Sequence, residues 1–175
     1  MENAVLHSLI TRRSVRRYKP DPVPQELLDQ VMEAGLYAAS GMGRQGSVIL
    51  QVTDKALRDR LMRLNAAVMG REDTDPFYGA PALLIVLSDR QYSTYLYDGS
   101  LVMGNMMNAA HALGLGSCWI HRAREEFDSP EGKELLRTLG IKGDYEGIGN
   151  LIVGYPDGEI SEAKPRREGR VFYAK

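Results

Sequence analysis

The sequence predicts an α+β protein, a sheet with helices packed on it, from three observations. Segments with helical apolar spacing are interleaved with short apolar runs, without a strict strand–helix alternation. Pro81–Leu87 is a continuous apolar run opening at a proline, the pattern of a strand buried on both faces. Asp98–Leu113 is apolar around most of its circumference, which as a helix places it in a large core or in an interface.

The elements follow in chain order. Residues 2–12 carry Val5, Leu6, Leu9 and Ile10 at helical spacing. Pro20, Pro22 and Pro24 then bar a helix and favour an extended passage. From Gln25, the spacing of Leu27, Leu28, Val31, Met32 and Leu36 predicts a second helix that frays near Ser40-Gly41. Val48–Val52 is a strand, and Ala56–Met69 an amphipathic helix through Leu57, Leu61, Leu64 and Val68. The buried strand at Pro81 and the apolar helix from Asp98 come next. Gly114 and Gly116 stop that helix, and Ser117–His121 forms a short strand. Asp128-Ser129-Pro130-Glu131 opens a helix that Gly140 closes near Leu139. Ile148–Val153 is the last apolar strand, and Val171-Phe172-Tyr173 offers one further edge strand in a polar, basic tail.

Length and composition bound the function classes. The 175 residues suit a single domain spanning 1–175, with 43% hydrophobic and 26% charged residues. Twenty-two basic against 23 acidic side chains leave a net charge of −1, which argues against a dedicated nucleic-acid or membrane-surface binder. The lone Cys118 makes no intrachain disulfide and no multi-cysteine zinc site. The N-terminus is too polar for a signal peptide, and no apolar run approaches a membrane span. A reducing cytoplasm is the expected compartment. Of the basic residues 16 are Arg and 6 Lys, a bias toward the planar fork that suits phosphate and carboxylate.

The arginines are densest at Arg12-Arg13-Ser14-Val15-Arg16-Arg17-Tyr18-Lys19, where five of eight residues are basic. A solvated loop is the ordinary reading of a charge run. Here Ser14 adds a hydroxyl among the guanidiniums, a mixture suited to phosphate oxygens. A second cluster, Lys164-Pro165-Arg166-Arg167 with Arg170, lies in the tail, so two ends of the chain are candidates for one phosphate. No G-x-x-x-x-G-K-[ST] loop and no G-x-G-x-x-G after a strand is present, and Gly114-Leu115-Gly116 is explained by helix termination. His7, His111 and His121 share no metal-ligand spacing, and there is no G-x-S-x-G elbow. No catalytic side chain and no metal site is assigned. An anion site with so few acid–base groups either binds only or lets a cofactor do the chemistry.

Three landmarks in order, Arg12–Tyr18, Ala39-Ser40-Gly41-Met42-Gly43-Arg44-Gln45 and Tyr78-Gly79-Ala80-Pro81 before an apolar strand, resemble those of the nitroreductase family. The helix Asp98–Leu113 with Gly114–Ile120 is similar to the family's central helix and following strand. Gly149–Pro156 and the tail Lys164-Pro165-Arg166 complete the order, so the resemblance covers essentially the whole chain. It implies an α+β flavoprotein with a central sheet flanked by helices, holding FMN non-covalently at the interface of an intertwined homodimer. It also implies NAD(P)H as reductant and ping-pong transfer of electrons to a small electron-poor acceptor such as a nitroaromatic or quinone. An FMN-binding or sensing module with little turnover is the alternative.

Carried onto this chain, the resemblance assigns the FMN phosphate and ribityl chain to Arg12, Arg13 and Ser14, and the pyrimidine side of the ring to Arg16. Lys164 and Arg166 would close on the same phosphate. Ser40, Gly41 and Gln45 would come from the partner subunit. Ser117, Cys118, Trp119, Ile120 and His121 would run beside the ring and offer a backbone N–H to it. The chain departs from the family where Gly43-Arg44-Gln45-Gly46-Ser47 replaces the Asn-x-Gln-Pro-Trp of many members. Gln45 is kept, the side-chain amide and the aromatic are absent, and Arg44 is the candidate substitute. Only Gly70–Ala80 separates the third helix from the strand at Pro81, which implies an open, permissive site.

Overall fold

The apolar run after Pro81 lies at the centre of the sheet. In the computed structural model, which describes residues 3–174, it forms β2 (Ala82–Asp89), with every residue but the last buried. β1 (Ser47–Val52) pairs on one side and β4 (Tyr145–Gly154) on the other, and β3 (Gly116–Ile120) lies beyond β4. The order is β1-β2-β4-β3 and every pair is antiparallel. Leu84 faces Leu151, and Cys118 faces Ile152. The register slips between Val86 and Leu87, so that Ile148 is the extra residue of a bulge between Gly147 and Gly149.

Period-two alternation sends β2 side chains to two cores. Leu84 and Val86 pack with α2 (Gln25–Leu36) and α4 (Tyr95–Ala112) through Leu28, Val31, Met103 and Met106. Leu83, Ile85 and Leu87 pack with α3 (Lys55–Met69), α5 (Ala123–Asp128) and α6 (Pro130–Thr138) through Leu61, Phe127 and Leu136. Both faces are covered, which is why β2 carries no alternating polar residue. Each leucine or isoleucine so buried contributes roughly 1.5–3 kcal/mol over its exposed state.

The helix ends are set locally. Asn3 Oδ1 accepts from the Val5 and Leu6 amides at 3.0 and 3.1 Å and caps α1 (Ala4–Thr11). Asp54 caps α3 through Leu57 N at 2.8 Å, and Gly70 ends it in the left-handed region at φ 70°. Ser129 caps α6 through Gly132 N at 3.0 Å, with Pro130 at the first turn. No residue of α1 is buried, and Ile10 is 68% exposed. No helix among the described residues is long and apolar enough to cross a membrane.

Several expected boundaries move. α2 stops at Leu36 rather than fraying to Ser40-Gly41, because Gly41–Gly43 forms its own tight turn with Met42 at φ 55°. α4 begins at Tyr95, whose ring packs on the core and whose hydroxyl donates to Glu146 at 3.0 Å. Its apolar residues divide: Val102, Met103, Met106 and Ala110 enter the core, while Leu101 stays exposed. α5 is a helix absent from the expected set, only six residues long. β4 starts three residues before Ile148, extended by pairing of Tyr145 with Asp89. The tail adds no edge strand: among the described residues Val171–Tyr173 pairs with no strand, and Phe172 is 89% exposed. The expected start of the first helix at Glu2 lies outside the described residues.

Gly147 marks where α5 lies on the sheet. A Cβ there would overlap the backbone carbonyl of Ala123, and only movement of α5 relieves the clash. Gly147→Ala is expected to cost about 2 kcal/mol or more. An unchanged urea midpoint would show that α5 shifts freely.

Candidate functional site

The arginine cluster is fixed by its backbone. Leaving α1, the chain runs beside the free edge of β3, with Ser14 bridged to Ser117 and Val15 N donating to Ser117 O at 3.0 Å. Further on, Tyr18 bridges to Pro156 and Lys19 N donates to Tyr155 O at 2.9 Å. Val15 is buried under this seam, and Tyr18 Oη donates to Val15 O at 2.7 Å. Burial holds the Tyr18 phenol well above its ordinary pKa, so it remains a donor.

Side-chain valence is left over at this seam. Arg13 Nη1 donates to Arg12 O at 2.5 Å and Nη2 to Ile10 O, closing the C-terminal end of α1. Its Nε, Arg12 Nη1 and Ser117 Oγ are buried without a hydrogen-bond partner among the described residues. Native proteins leave few such atoms unpaired, since each costs about 1–3 kcal/mol. Two guanidinium donors and a hydroxyl on segments joined by the Ser14–Ser117 bridge suit the oxygens of a phosphate and a polyol. The field has the matching sign. Burial and then the Arg12, Arg13 and His7 charges push the His111 imidazole below its ordinary pKa, with Thr11 Oγ1 at 2.9 Å from its Nε2.

Farther along β3 a cavity of about 420 Å³ opens, lined by Arg16 and by the strand and turn from Cys118 to Arg122. By strand alternation the Trp119 N–H, two residues on from Ser117, also faces the free edge. Arg71, Tyr78 and Arg122, none of them among the expected site residues, complete the wall. Arg71 lies in the short connection after α3, and Arg122 directly follows His121, the last residue of the run assigned beside the ring. Arg122 stands at φ 79°. A buried network holds it there: Arg122 Nε donates to Asn65 Oδ1 at 3.0 Å, and Asn65 Nδ2 donates to His121 O at 2.9 Å and to Glu126. Asn150 Nδ2 donates to both Glu126 carboxylate oxygens at 2.9 and 3.2 Å. Asn65, Glu126 and Asn150 are all fully buried. Burial raises the Glu126 pKa to about 7, with the two amide hydrogen bonds and Arg122 opposing it.

The remaining expected residues lie elsewhere. Ser40, Gly41, Arg44 and Gln45 belong to the turn before β1, where Gly41 N donates to Asp98 Oδ1 at 3.0 Å and Gln45 N to Ser40 Oγ at 3.0 Å. The Arg44 guanidinium lies over the Tyr92 ring, 5.5 Å from its centroid. β1 and β3 are opposite edges of the sheet, three strand spacings or roughly 14 Å apart. The tail departs past the cluster, with Arg17 Nε donating to Asp157 Oδ2 at 2.8 Å. Arg166 turns its guanidinium onto Lys164 O, and among the described residues no hydrogen bond or ion pair joins Lys164 or Arg166 to Arg12–Arg16. The chain thus brings together Arg12, Arg13, Ser14, Arg16 and Ser117–His121, and holds the other six apart.

Fold and site together define a covered antiparallel sheet whose free edge carries a cluster of guanidinium and hydroxyl groups with the chemistry to take up phosphate oxygens. Residues 9–155 match the model of the Nitroreductase family, and the chain belongs to that family. It is 28% identical to the FMN reductase (NAD(P)H) of Bacillus subtilis, over 94% of this chain and 70% of that protein. Among solved structures it is similar to a nitroreductase with bound FMN from Bacteroides fragilis, with TM-score 0.90, 28% identity and coverage of 99% of this chain and 100% of the other. A nitroreductase with bound FMN from Desulfitobacterium hafniense gives TM-score 0.87 and 26% identity, with both chains fully covered.

Proposed function

We propose that this chain is an NAD(P)H-dependent FMN oxidoreductase that passes electrons by a ping-pong route to small electron-poor acceptors such as nitroaromatics or quinones. The observation that carries the reading is the trio of partnerless buried atoms, Arg12 Nη1, Arg13 Nε and Ser117 Oγ. FMN bound there would supply the two-electron chemistry that no side chain of the site provides. Arg12, Arg13 and Ser14 would hold its phosphate and ribityl chain, and Lys164 and Arg166 would close over the same phosphate. Arg16 would place a fixed positive charge beside the pyrimidine edge, where negative charge develops on reduction. Cys118 to His121 would form the wall beside the ring, with Trp119 presenting a backbone N–H.

The working unit is a cytoplasmic homodimer, with the whole chain acting as one domain in each copy. Val5, Leu6, Leu9 and Ile10 form an exposed apolar face on α1. Beside it a groove of about 470 Å³ runs between α1 and α4, lined by Ala4, Leu9, Ala109 and Ala112. An eight-residue helix with no buried side chain has too little stability alone, and such a surface needs covering. A second copy would also carry its Ser40–Gln45 turn to the β3 side, joining Ser40, Gly41, Arg44 and Gln45 to the flavin.

The purified protein is expected to be yellow, to elute at twice the 19.5 kDa chain mass, and to bleach anaerobically with NADH or NADPH. Acceptor should restore the colour. A bound flavin that neither nucleotide reduces would overturn the enzymatic reading in favour of a binding module.

A further inference from the structure

The β3 cavity carries more positive charge than a flat, uncharged ring requires. Arg16, Arg71 and Arg122 line it, and among the described residues Asp75 is the one carboxylate in the lining. Asp75 is already engaged, its two oxygens accepting from Phe77 N and Gly79 N at 2.7 Å each. With Arg16 given to the flavin, Arg71 and Arg122 remain. Among the described residues the Arg71 side chain and both Arg122 Nη groups make no hydrogen bond or ion pair, while Arg122 Nε is bound to Asn65. A left-handed backbone is unfavourable for an arginine and persists only where the surroundings impose it. Here the imposing elements are Asn65 and the fully buried Glu126, so the guanidinium fork is aimed before any ligand arrives.

We propose that this cavity contains an anion-reading subsite, formed by Arg122 and Arg71, that selects a reaction partner carrying a carboxylate or phosphate. The subsite rests on the oxidoreductase reading given above and names the substrate class of the same site. A preset Arg fork takes a carboxylate or phosphate bidentately, and neutral analogues of the same shape leave it unpaired. The anion is borne either by the electron acceptor or by the reducing nucleotide, and both present the same chemistry to the fork.

The test uses the flavin-loaded protein in steady state. With NADH, 4-nitrobenzoate and 4-nitrobenzyl alcohol are compared as acceptors; with a neutral quinone, NADPH and NADH are compared as reductants. If the acceptor bears the anion, kcat/KM favours the benzoate. Arg122→Asn, which tolerates the left-handed backbone, then lowers that preference about tenfold or more through KM. If the nucleotide bears it, the same loss falls on KM for NADPH. Arg71→Ala reproduces the pattern in the same arm, which guards against a local misfolding of the Arg122 turn. Equal turnover of charged and neutral partners, unmoved by either substitution, overturns the subsite while leaving the oxidoreductase intact. No turnover with the neutral acceptor, or no bound flavin, defeats the functional reading itself.

Discussion

Replacing Arg12 with alanine is expected to empty the flavin site, raising the FMN dissociation constant about 100-fold or more and yielding a nearly colourless protein. The donor concerned, Nη1, is buried and has no hydrogen-bond partner among the described residues. Each charge-assisted bond it would make to phosphate is worth roughly 1.5–3 kcal/mol, and the variant also loses the positive charge. Arg12→Lys keeps the charge without the fork and should fall between the two. Arg13→Ala behaves differently, because Arg13 also closes the end of α1 through Arg12 O and Ile10 O. It should lose both flavin and part of the melting temperature of the flavin-free protein. Arg12→Ala should leave that temperature unchanged or raise it, since it removes an unsatisfied buried donor. Flavin absorbance after gel filtration, followed by titration with FMN, reads the outcome. An Arg12→Ala protein with full flavin content and unaltered affinity would remove Arg12 from the site.

Glu126→Gln is expected to change the pH dependence of stability. Glu126 has its pKa raised from 4.5 to about 7, chiefly by burial. A carboxyl whose folded pKa exceeds its unfolded value favours the fold while protonated. That contribution fades as pH rises from about 4.5 through 7, reaching a cost of about 3 kcal/mol above 7. The amide does not titrate and carries no such cost. The melting-temperature difference between Glu126→Gln and the unaltered protein should therefore grow in favour of the amide from pH 5 to pH 8 and then level off. A difference that stays flat across this range would mean that Glu126 keeps an ordinary pKa.

Much of this molecule is legible in the sequence, for physical reasons that can be named. β2 is a strand buried on both faces because helices cover both sides of the sheet, and Pro81 with six apolar residues states that directly. The end of α3 at Gly70 and the start of α6 at Ser129-Pro130 follow from capping chemistry. α5 is hidden because six residues are too few for a helical period to show. The early start of β4 is masked by Gly147 and Gly149, whose presence reflects the close approach of Ala123 and of Trp119. Within the site, clustering revealed Arg12–Arg16. The Asn65–Glu126–Asn150 network draws on α3, α5 and β4 and has no local signature, so Arg122 is invisible until the chain is folded. Nor does spacing along the chain reveal that Ser40–Gln45 and Ser117–His121 belong to opposite edges.

That last separation has a genetic reading. Should each flavin be clasped by the β3 edge of one copy and the Ser40–Gln45 turn of the other, lesions at the two edges belong to different complementation groups. Pairing a chain damaged at Arg12 with a chain damaged at the turn concentrates both lesions in one site and leaves its twin whole. Two lesions on the same edge can never be sorted this way. A cell holding one allele of each kind would keep working enzyme that neither allele supplies alone.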